Sequence, residues 1–342
     1  MSTHDLDAVL AQAAAWRAAG RGVALATVIR TWGSSPRQPG SKLAVDEAGA
    51  FVGSVSGGCI EAAVIHEALE VMATGASRVL GFGVSDETAW EVGLACGGKI
   101  EVFVEAVAPA QGRGLPRELL DELLAARRAP RAALLATPLD GSAHRLLDTD
   151  PAHAPAELAA AVGQAVARDQ AAVVDTPAGA VFLEPHLPPI RLIVVGAVHV
   201  AQPLADMAAL AGFGVTVVDP RRAFATEARF PGRALVTSWP DEAIARLAPD
   251  ARTAVVTLTH DPKLDDPALV AALASPAFYV GCLGSQKTHA ARRARLGERG
   301  VAPAALDRLR GPVGLRIGAR TPAEIAVSIL AEIVAALRGA AP

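Results

Sequence analysis

The sequence predicts an α/β protein of two domains, the second built on a parallel sheet with helices on both faces. Three observations predict this. From Arg191 onward, continuous apolar strands alternate regularly with helical stretches, the signature of parallel strands buried on both faces. Before residue 190, strands, turns and helices follow in a less regular order, as in a mixed α/β unit. The chain has 342 residues, more than one core usually organises. The expected domains are therefore residues 1–190 and 191–342.

In the first domain, helical periodicity from Leu6 to Ala19 ends at Gly20, and GVALATVIR follows as an apolar strand. TWGSSPRQPGS reads as a Gly/Ser/Pro loop, and KLAVD and AFVGSVS as short strands around a turn at Glu47–Gly49. SGGCIEAAVIHEALEVMATG then reads as a strand end, a tight glycine turn and a helix. A strand near Arg78–Val84, a short helix around Trp90 and the strand KIEVFVEAV complete this unit. In residues 110–190, Arg- and Ala-rich helix alternates with the strand-like pieces RAALLATPL and AAVVDTPAGAVFLEP. Pro185, Pro188 and Pro189 mark the boundary. The second domain runs RLIVVG, helix VHVAQPLADMAALAGFG, VTVVDP, RALVTS, TAVVTLTH and AFYVGCLGS. Its last helix opens with Thr321-Pro322-Ala323-Glu324, a capping box with proline at the first helical position.

Composition narrows the function classes. Hydrophobic residues reach 51% and mean hydropathy is +0.33, yet no run attains the roughly 18 apolar residues of a membrane span. The N-terminus carries Asp5 and Asp7 and no basic segment, so a cytoplasmic protein without a signal peptide is expected. A net charge of −3 with well-mixed signs offers nucleic acid no basic stripe. The three cysteines have no CxxC spacing, against a disulfide framework or a zinc site.

The candidate site residues lie at glycine turns. Val195–Ala201 is the first βα turn of a Rossmann-like unit: Gly196 stands at the first glycine position of the phosphate-binding fingerprint, Ala201 at the third, and Val198 at the second. Such a turn offers backbone N–H groups and the helix dipole to a phosphate. Asp219 ends the next strand roughly 20 residues on, the spacing of a carboxylate that bonds ribose hydroxyls. Arg221 and Arg222 follow it and would meet a phosphate instead. His199, at a helix start, either bonds a ligand or serves as a cap or packing residue. His260 and Asp261 follow a strand at its C-terminal end, the ligand side of such sheets, and Gly281, Gly284 and Ser285 form a second strand–glycine–helix turn. In the first domain, Gly57-Gly58-Cys59 places a thiol near a helix N-terminus, which favours thiolate, although most isolated cysteines are buried hydrophobes. Cys96 occupies a second glycine-flanked turn, and Arg37 is the cation of the polar loop, there to bind an anion or to cap the sheet.

Seven segments, in order, resemble the XdhC/CoxI family, the accessory proteins of xanthine dehydrogenase and related molybdenum hydroxylases. They are ATVIRTWGSSPRQPGSKLAV, GSVSGGCIEAAV, LACGGKIEVFVE, VVGAVHVAQPLADMAALAGFGVTVVDPR, VVTLTHD, YVGCLGSQ and GLRIGARTPAEIAVSILAEI. They cover most of the chain outside residues 110–190. The chain departs from the family at Val198, where glycine is usual, and at Arg316, where aspartate is typical.

The resemblance implies an N-terminal XdhC/CoxI domain, a C-terminal Rossmann domain and a non-catalytic role. That role is to bind molybdenum cofactor (molybdopterin or its cytosine dinucleotide), protect it during sulfuration by a cysteine desulfurase and deliver it to the apo-hydroxylase. On that reading Cys59 contacts the molybdenum or its terminal sulfur, and the apolar C-terminal helix supports a homodimer. The competing reading is an NAD(P)-dependent oxidoreductase using the Rossmann half. Against it, Val198 stands where pyrophosphate approaches, and no acid–base set beyond His199 and His260 suits hydride transfer.

Overall fold

The computed structural model describes residues 3–33, 37–83, 98–109, 113–129 and 131–340. The chain divides into two compact units, Met1–Pro188 and Pro189–Pro342.

The first unit opens with helix α1 (Thr3–Ala18), strands β1 (Val23–Trp32), β2 (Lys42–Asp46) and β3 (Phe51–Gly53), and helix α2 (Glu61–Thr74). It continues with β4 (Arg78–Phe82), β5 (Lys99–Val107), β6 (Gly114–Leu115), α3 (Arg117–Arg128), β7 (Ala133–Pro138), β8 (Arg145–Leu147), α4 (Ala159–Arg168), β9 (Ala172–Thr176) and β10 (Gly179–His186). One sheet has the order β3-β2-β1-β5-β4, with β6 beside β5; the other has the order β8-β7-β10-β9. Helix α2 lays Val64, Ala68 and Val71 on one face of the first sheet, against Ala26, Val28, Val45 and Val102. The opposite face of that sheet meets α1 and α3 through Leu10, Leu25, Ala44 and Leu123, and meets the second sheet where Ile29 and Phe103 pack on Phe182. Alternation of apolar side chains along β1 serves both cores, which is why this strand is buried on both faces from Val23 to Ile29.

Two sequence expectations are adjusted here. The strand read over AFVGSVS stops at Gly53, because residues 54–58 turn inward around Glu61. Pro185 lies inside β10 rather than at a boundary; β9 pairs only with residues 179–183 of that strand, so the missing N–H of Pro185 interrupts no bond on that side. The short helix expected around Trp90 lies outside the described residues.

The second unit comprises β11 (Arg191–Val195), α5 (Ala201–Leu210), β12 (Gly214–Val218), β13 (Ala234–Val236), α6 (Pro240–Leu247), β14 (Thr253–Thr257), α7 (Pro262–Leu273), β15 (Tyr279–Cys282), α8 (Gln286–Glu298), α9 (Pro303–Leu306), β16 (Leu309–Arg310) and α10 (Pro322–Arg338). All its strands are parallel, in the order β13-β12-β11-β14-β15-β16. Numbered within the unit this is 3-2-1-4-5-6, the dinucleotide-fold order, whose direction reverses between β11 and β14. Helices α5 and α10 cover one face, with Leu204, Ala208, Ile329 and Ile333 on Leu192, Val194 and Val256. Helices α6 to α9 cover the other, with Ile244, Leu269 and Leu296 on Ile193, Val255 and Val280. The capping box of α10 is present: Thr321 accepts from Glu324 N, and Glu324 accepts from Thr321 N at 3.0 Å. Among the described residues, no helix is long and apolar enough to cross a membrane.

Candidate functional site

The switch point between β11 and β14 fixes the centre of the Rossmann site. Gly196 leaves β11 with φ of +106°, a left-handed backbone that a side chain resists. A Cβ at this position would also lie 2.5 Å from Thr259 Cγ2, so the turns after β11 and β14 touch at this glycine. Gly196 N donates to Val218 O at 2.8 Å and Leu258 N to Val195 O at 2.9 Å, tying three strand ends together. The backbone N–H groups of Val198, His199 and Val200 meet no acceptor among the described residues, and they precede the first residue of α5. Helix α5 thus begins at Ala201 rather than at Val198, and the sequence-predicted turn is three N–H groups open to an anion.

Around this turn the predicted residues take different places. His199 and His260 are exposed, and His260 holds a left-handed backbone with φ of +61°, a strained conformation for a non-glycine residue. Asp261 caps α7 by accepting from Lys263 N at 2.9 Å. Ser285 caps α8, with its side chain accepting from Thr288 N at 3.1 Å. Gly284, just before it, has an open backbone with φ of +154°. Gly281 is inside β15, where Tyr279 and Val313 leave no room for a Cβ, so its role is packing. Val198 is half-buried and packs against the α5–α10 core. Arg316 is exposed on the segment before α10. Since β11, β14 and β15 are parallel neighbours, the turns bearing Gly196, His260 and Gly284 share one edge of the sheet. At the same end of β14, the buried hydroxyl of Thr257 has no hydrogen-bond partner among the described residues.

Asp219 is fully buried at the end of β12. Its Oδ2 accepts from Ala197 N at 2.8 Å and from Arg221 Nη2 at 2.7 Å; its Oδ1 accepts from Arg221 N and Nε, each at 2.9 Å. Burial disfavours its charge, but the hydrogen bonds from Arg221 and Ala197 outweigh this and hold the carboxyl below its ordinary range. Behind the edge, Asp265 accepts from Thr259 Oγ1 at 2.6 Å and pairs with buried Arg292 at 3.3 Å. Cys282 is buried, and burial pushes its thiol up to about 11.

In the first unit, Cys59 is exposed at the head of α2. The residue that shapes its loop is Glu61, which sequence reasoning passed over. Its carboxylate accepts from Ser54 Oγ at 2.6 Å, Ser56 Oγ at 2.5 Å, and the N–H groups of Val55 (3.2 Å), Ser56 (2.9 Å), Gly57 (3.1 Å) and Gly58 (2.9 Å). Ser56 Oγ in turn accepts from Cys59 N and Ile60 N, each at 3.1 Å. Burial opposes the Glu61 charge, yet the serine hydroxyls and the amides prevail and bring its carboxyl down to about 2. Gly57 and Gly58, with φ of +87° and +122°, wrap this carboxylate, so their N–H groups are spent within the loop. The only available signal was the acidic residue at the first helical position after a Ser-Gly-Gly run. Arg37 is half-buried and has partners within the structure. Cys96 lies outside the described residues. No group of three or more metal-ligating side chains occurs among the described residues.

Comparison with known families agrees with the Rossmann fold of the second unit. Residues 192–333 match the XdhC Rossmann domain and residues 16–83 match the XdhC and CoxI family. The chain belongs to the XdhC/CoxI family. It is similar over 335 residues, at 28% identity, to the molybdenum cofactor insertion chaperone PaoD of Escherichia coli (strain K12), covering 97% of this chain and 88% of that protein. It is 29% identical over 319 residues to a probable xanthine dehydrogenase subunit of Bacillus subtilis (strain 168), covering 91% of this chain and 92% of the other. A crystal structure described as a xanthine dehydrogenase from Bacillus halodurans superposes with a TM-score of 0.74 at 25% identity, covering 99% of this chain and 96% of that one. In XdhC/CoxI terms, the turn after β11 belongs to the Rossmann match and the Glu61-organised loop to the XdhC and CoxI match.

Proposed function

We propose that this XdhC/CoxI protein binds molybdenum cofactor as cargo, shelters it while a cysteine desulfurase acts on it, and delivers it to an apo-hydroxylase of the xanthine dehydrogenase type. The observation that carries this reading is the turn after β11, where three successive N–H groups without acceptors among the described residues lie at the switch point of a 3-2-1-4-5-6 sheet. A terminal phosphate or pyrophosphate fits such a turn by charge and hydrogen bonding. Exposed His260 and the turn at Gly284 border the same end of the sheet, and His260 supplies a further polar contact. The name of the Escherichia coli relative, an insertion chaperone, supports the choice of cargo. Cys59, held exposed by the Glu61 loop, is the group suited to meet the cofactor's metal or its terminal sulfur, since a thiolate is a soft ligand.

The test incubates purified protein with molybdenum cofactor, re-isolates it, and reads retained pterin by fluorescence after oxidation and metal by mass spectrometry. Near-stoichiometric retention, weakened by His260→Ala, supports the carrier. No retention, together with tight nicotinamide binding and turnover, rejects it in favour of the NAD(P)-dependent oxidoreductase. A Cys59→Ala variant that leaves cofactor loading of the hydroxylase undiminished removes the thiol from the mechanism.

A further inference from the structure

We infer that Arg221, and not Asp219, reads the ligand at the end of β12, and that this position accepts a phosphomonoester in preference to a ribose diol. The inference rests on the reading that the Rossmann unit holds an anionic ligand, and it specifies which end-group the site selects.

In dinucleotide folds the acid closing the second strand accepts hydrogen bonds from ribose hydroxyls, whereas an arginine nearby accommodates a phosphate on that sugar. Asp219 occupies the acid's place. A carboxylate offers about four acceptor positions, and Asp219 receives four donors: Ala197 N, and Arg221 N, Nε and Nη2. The side chain is 0% exposed. A ribose hydroxyl therefore finds no vacant lone pair without first displacing Arg221, breaking two charge-assisted bonds. Asp219 is a positioning residue that locks the Gly196–Ala197 turn and aims the arginine.

Arg221 remains available. Its Nε and one Nη2 proton go to Asp219; neither proton of Nη1 has an acceptor among the described residues, and the side chain is 39% exposed. The guanidinium lies over Phe224 with its central carbon 4.4 Å from the ring centroid, which fixes its plane from the other side. Arg229 also faces Phe224, at 5.6 Å, and Arg222 is exposed beside it. The acids whose field reaches Arg221 are Asp219, Asp261 and Asp265. Each is engaged: Asp219 as above, Asp261 in capping α7 and Asp265 with Arg292 and Thr259. A planar, immobilised guanidinium with free N–H groups is suited to a phosphate dianion. A dinucleotide form of molybdenum cofactor whose ribose came to this position would find Asp219 already saturated.

The test compares adenosine 2′,5′-bisphosphate with adenosine 5′-monophosphate, which differ only by a phosphomonoester in place of the 2′-hydroxyl, by calorimetric titration of the full chain. Wild-type protein should favour the bisphosphate by about 10-fold or more, equivalent to about 1.4 kcal/mol. Arg221→Ala should invert this: the bisphosphate weakens, while the monophosphate gains because two acceptor positions of Asp219 are released. Arg221→Lys, which keeps the charge but loses the bidentate clamp, should retain part of the preference and guards against a folding defect in the alanine variant. Equal wild-type affinities, no binding of the bisphosphate, or an unchanged ratio in both variants would each overturn the assignment. Because the readout uses simple nucleotides, it is independent of molybdenum cofactor retention. A protein that prefers the bisphosphate yet retains no cofactor defeats the carrier reading alone.

Discussion

Replacing Glu61 by glutamine keeps the shape of the side chain but removes the charge around which residues 54–58 fold. Six donors converge on the carboxylate, and an amide can accept on only one of its two ends. Its NH2 group would face either Ser56 Oγ and Gly58 N or Ser54 Oγ and the N–H groups of Val55, Ser56 and Gly57. The carboxyl stands at about 2 against an ordinary 4.5, which at about 1.4 kcal/mol per pKa unit corresponds to roughly 3 kcal/mol. Solvent at exposed Gly57 and Gly58 screens part of that, leaving about 2 kcal/mol. For a unit of this size, the melting temperature should fall by about 4–8 °C at pH 7.

The acid dependence distinguishes this carboxylate from a merely structural contact. Glu61 has a folded pKa below its unfolded one, so its contribution is complete above the ordinary 4.5 and is lost as the pH falls towards about 2. The gap between wild type and Glu61→Gln in urea unfolding, followed by a probe in the first unit, should therefore shrink by about half or more between pH 7 and pH 3. Equal stability at pH 7 would refute the reasoning, as would a gap of constant size down to pH 3.

Three further outcomes are expected. Gly196→Ala forces a side chain onto a left-handed backbone and against Thr259; it should destabilise the second unit by about 2–4 kcal/mol in denaturant titration. Buried Lys42 and Glu184 pair at 2.8 Å, with His186 3.6 Å from the same carboxylate, and the lysine charge together with the contacts from these neighbours outweighs burial to hold Glu184 at about 2. Glu184→Gln should cost about 3–5 kcal/mol by leaving the lysine charge uncompensated, and Lys42→Met in the same chain should recover much of that, in a double-mutant cycle of unfolding free energies. Iodoacetamide at pH 8, read by peptide mass mapping, should modify exposed Cys59 well before Cys282, whose burial keeps it a neutral thiol until the second unit unfolds.

Much of the second unit was legible from sequence because its strands are buried on both faces and therefore spell continuous apolar runs. RLIVVG, VTVVDP and TAVVTLTH correspond to β11, β12 and β14, which end one to three residues sooner, where the chain turns out of the sheet. The α10 capping box is a local pattern and appears as read. AAVVDTPAGAVFLEP, read as one strand-like piece, is in the structure the hairpin of β9 and β10, which turns at Pro177-Ala178. Its membership of a separate four-stranded sheet was not visible, since that depends on β7 and β8 pairing from a distance. Site legibility was similarly uneven: Gly196 and Asp219 announced themselves by spacing, whereas Glu61 looked like an ordinary first-turn acid.

By itself the sequence determined the alternation of elements, the parallel character of the second sheet, the turn that opens α5 and the family that the chain resembles, because each is written in local periodicity or in ordered short motifs. Only the tertiary structure decided what the polar groups do. Asp219, Gly57, Gly58 and Gly281 all sit where a ligand-binding residue is expected. Yet Asp219 is saturated by Ala197 and Arg221, the two loop glycines by Glu61, and Gly281 is crowded by Tyr279 and Val313. A hydrogen-bonding group has a limited number of partners, and whether its own fold has already filled them is a property of three-dimensional packing that no one-dimensional spacing encodes.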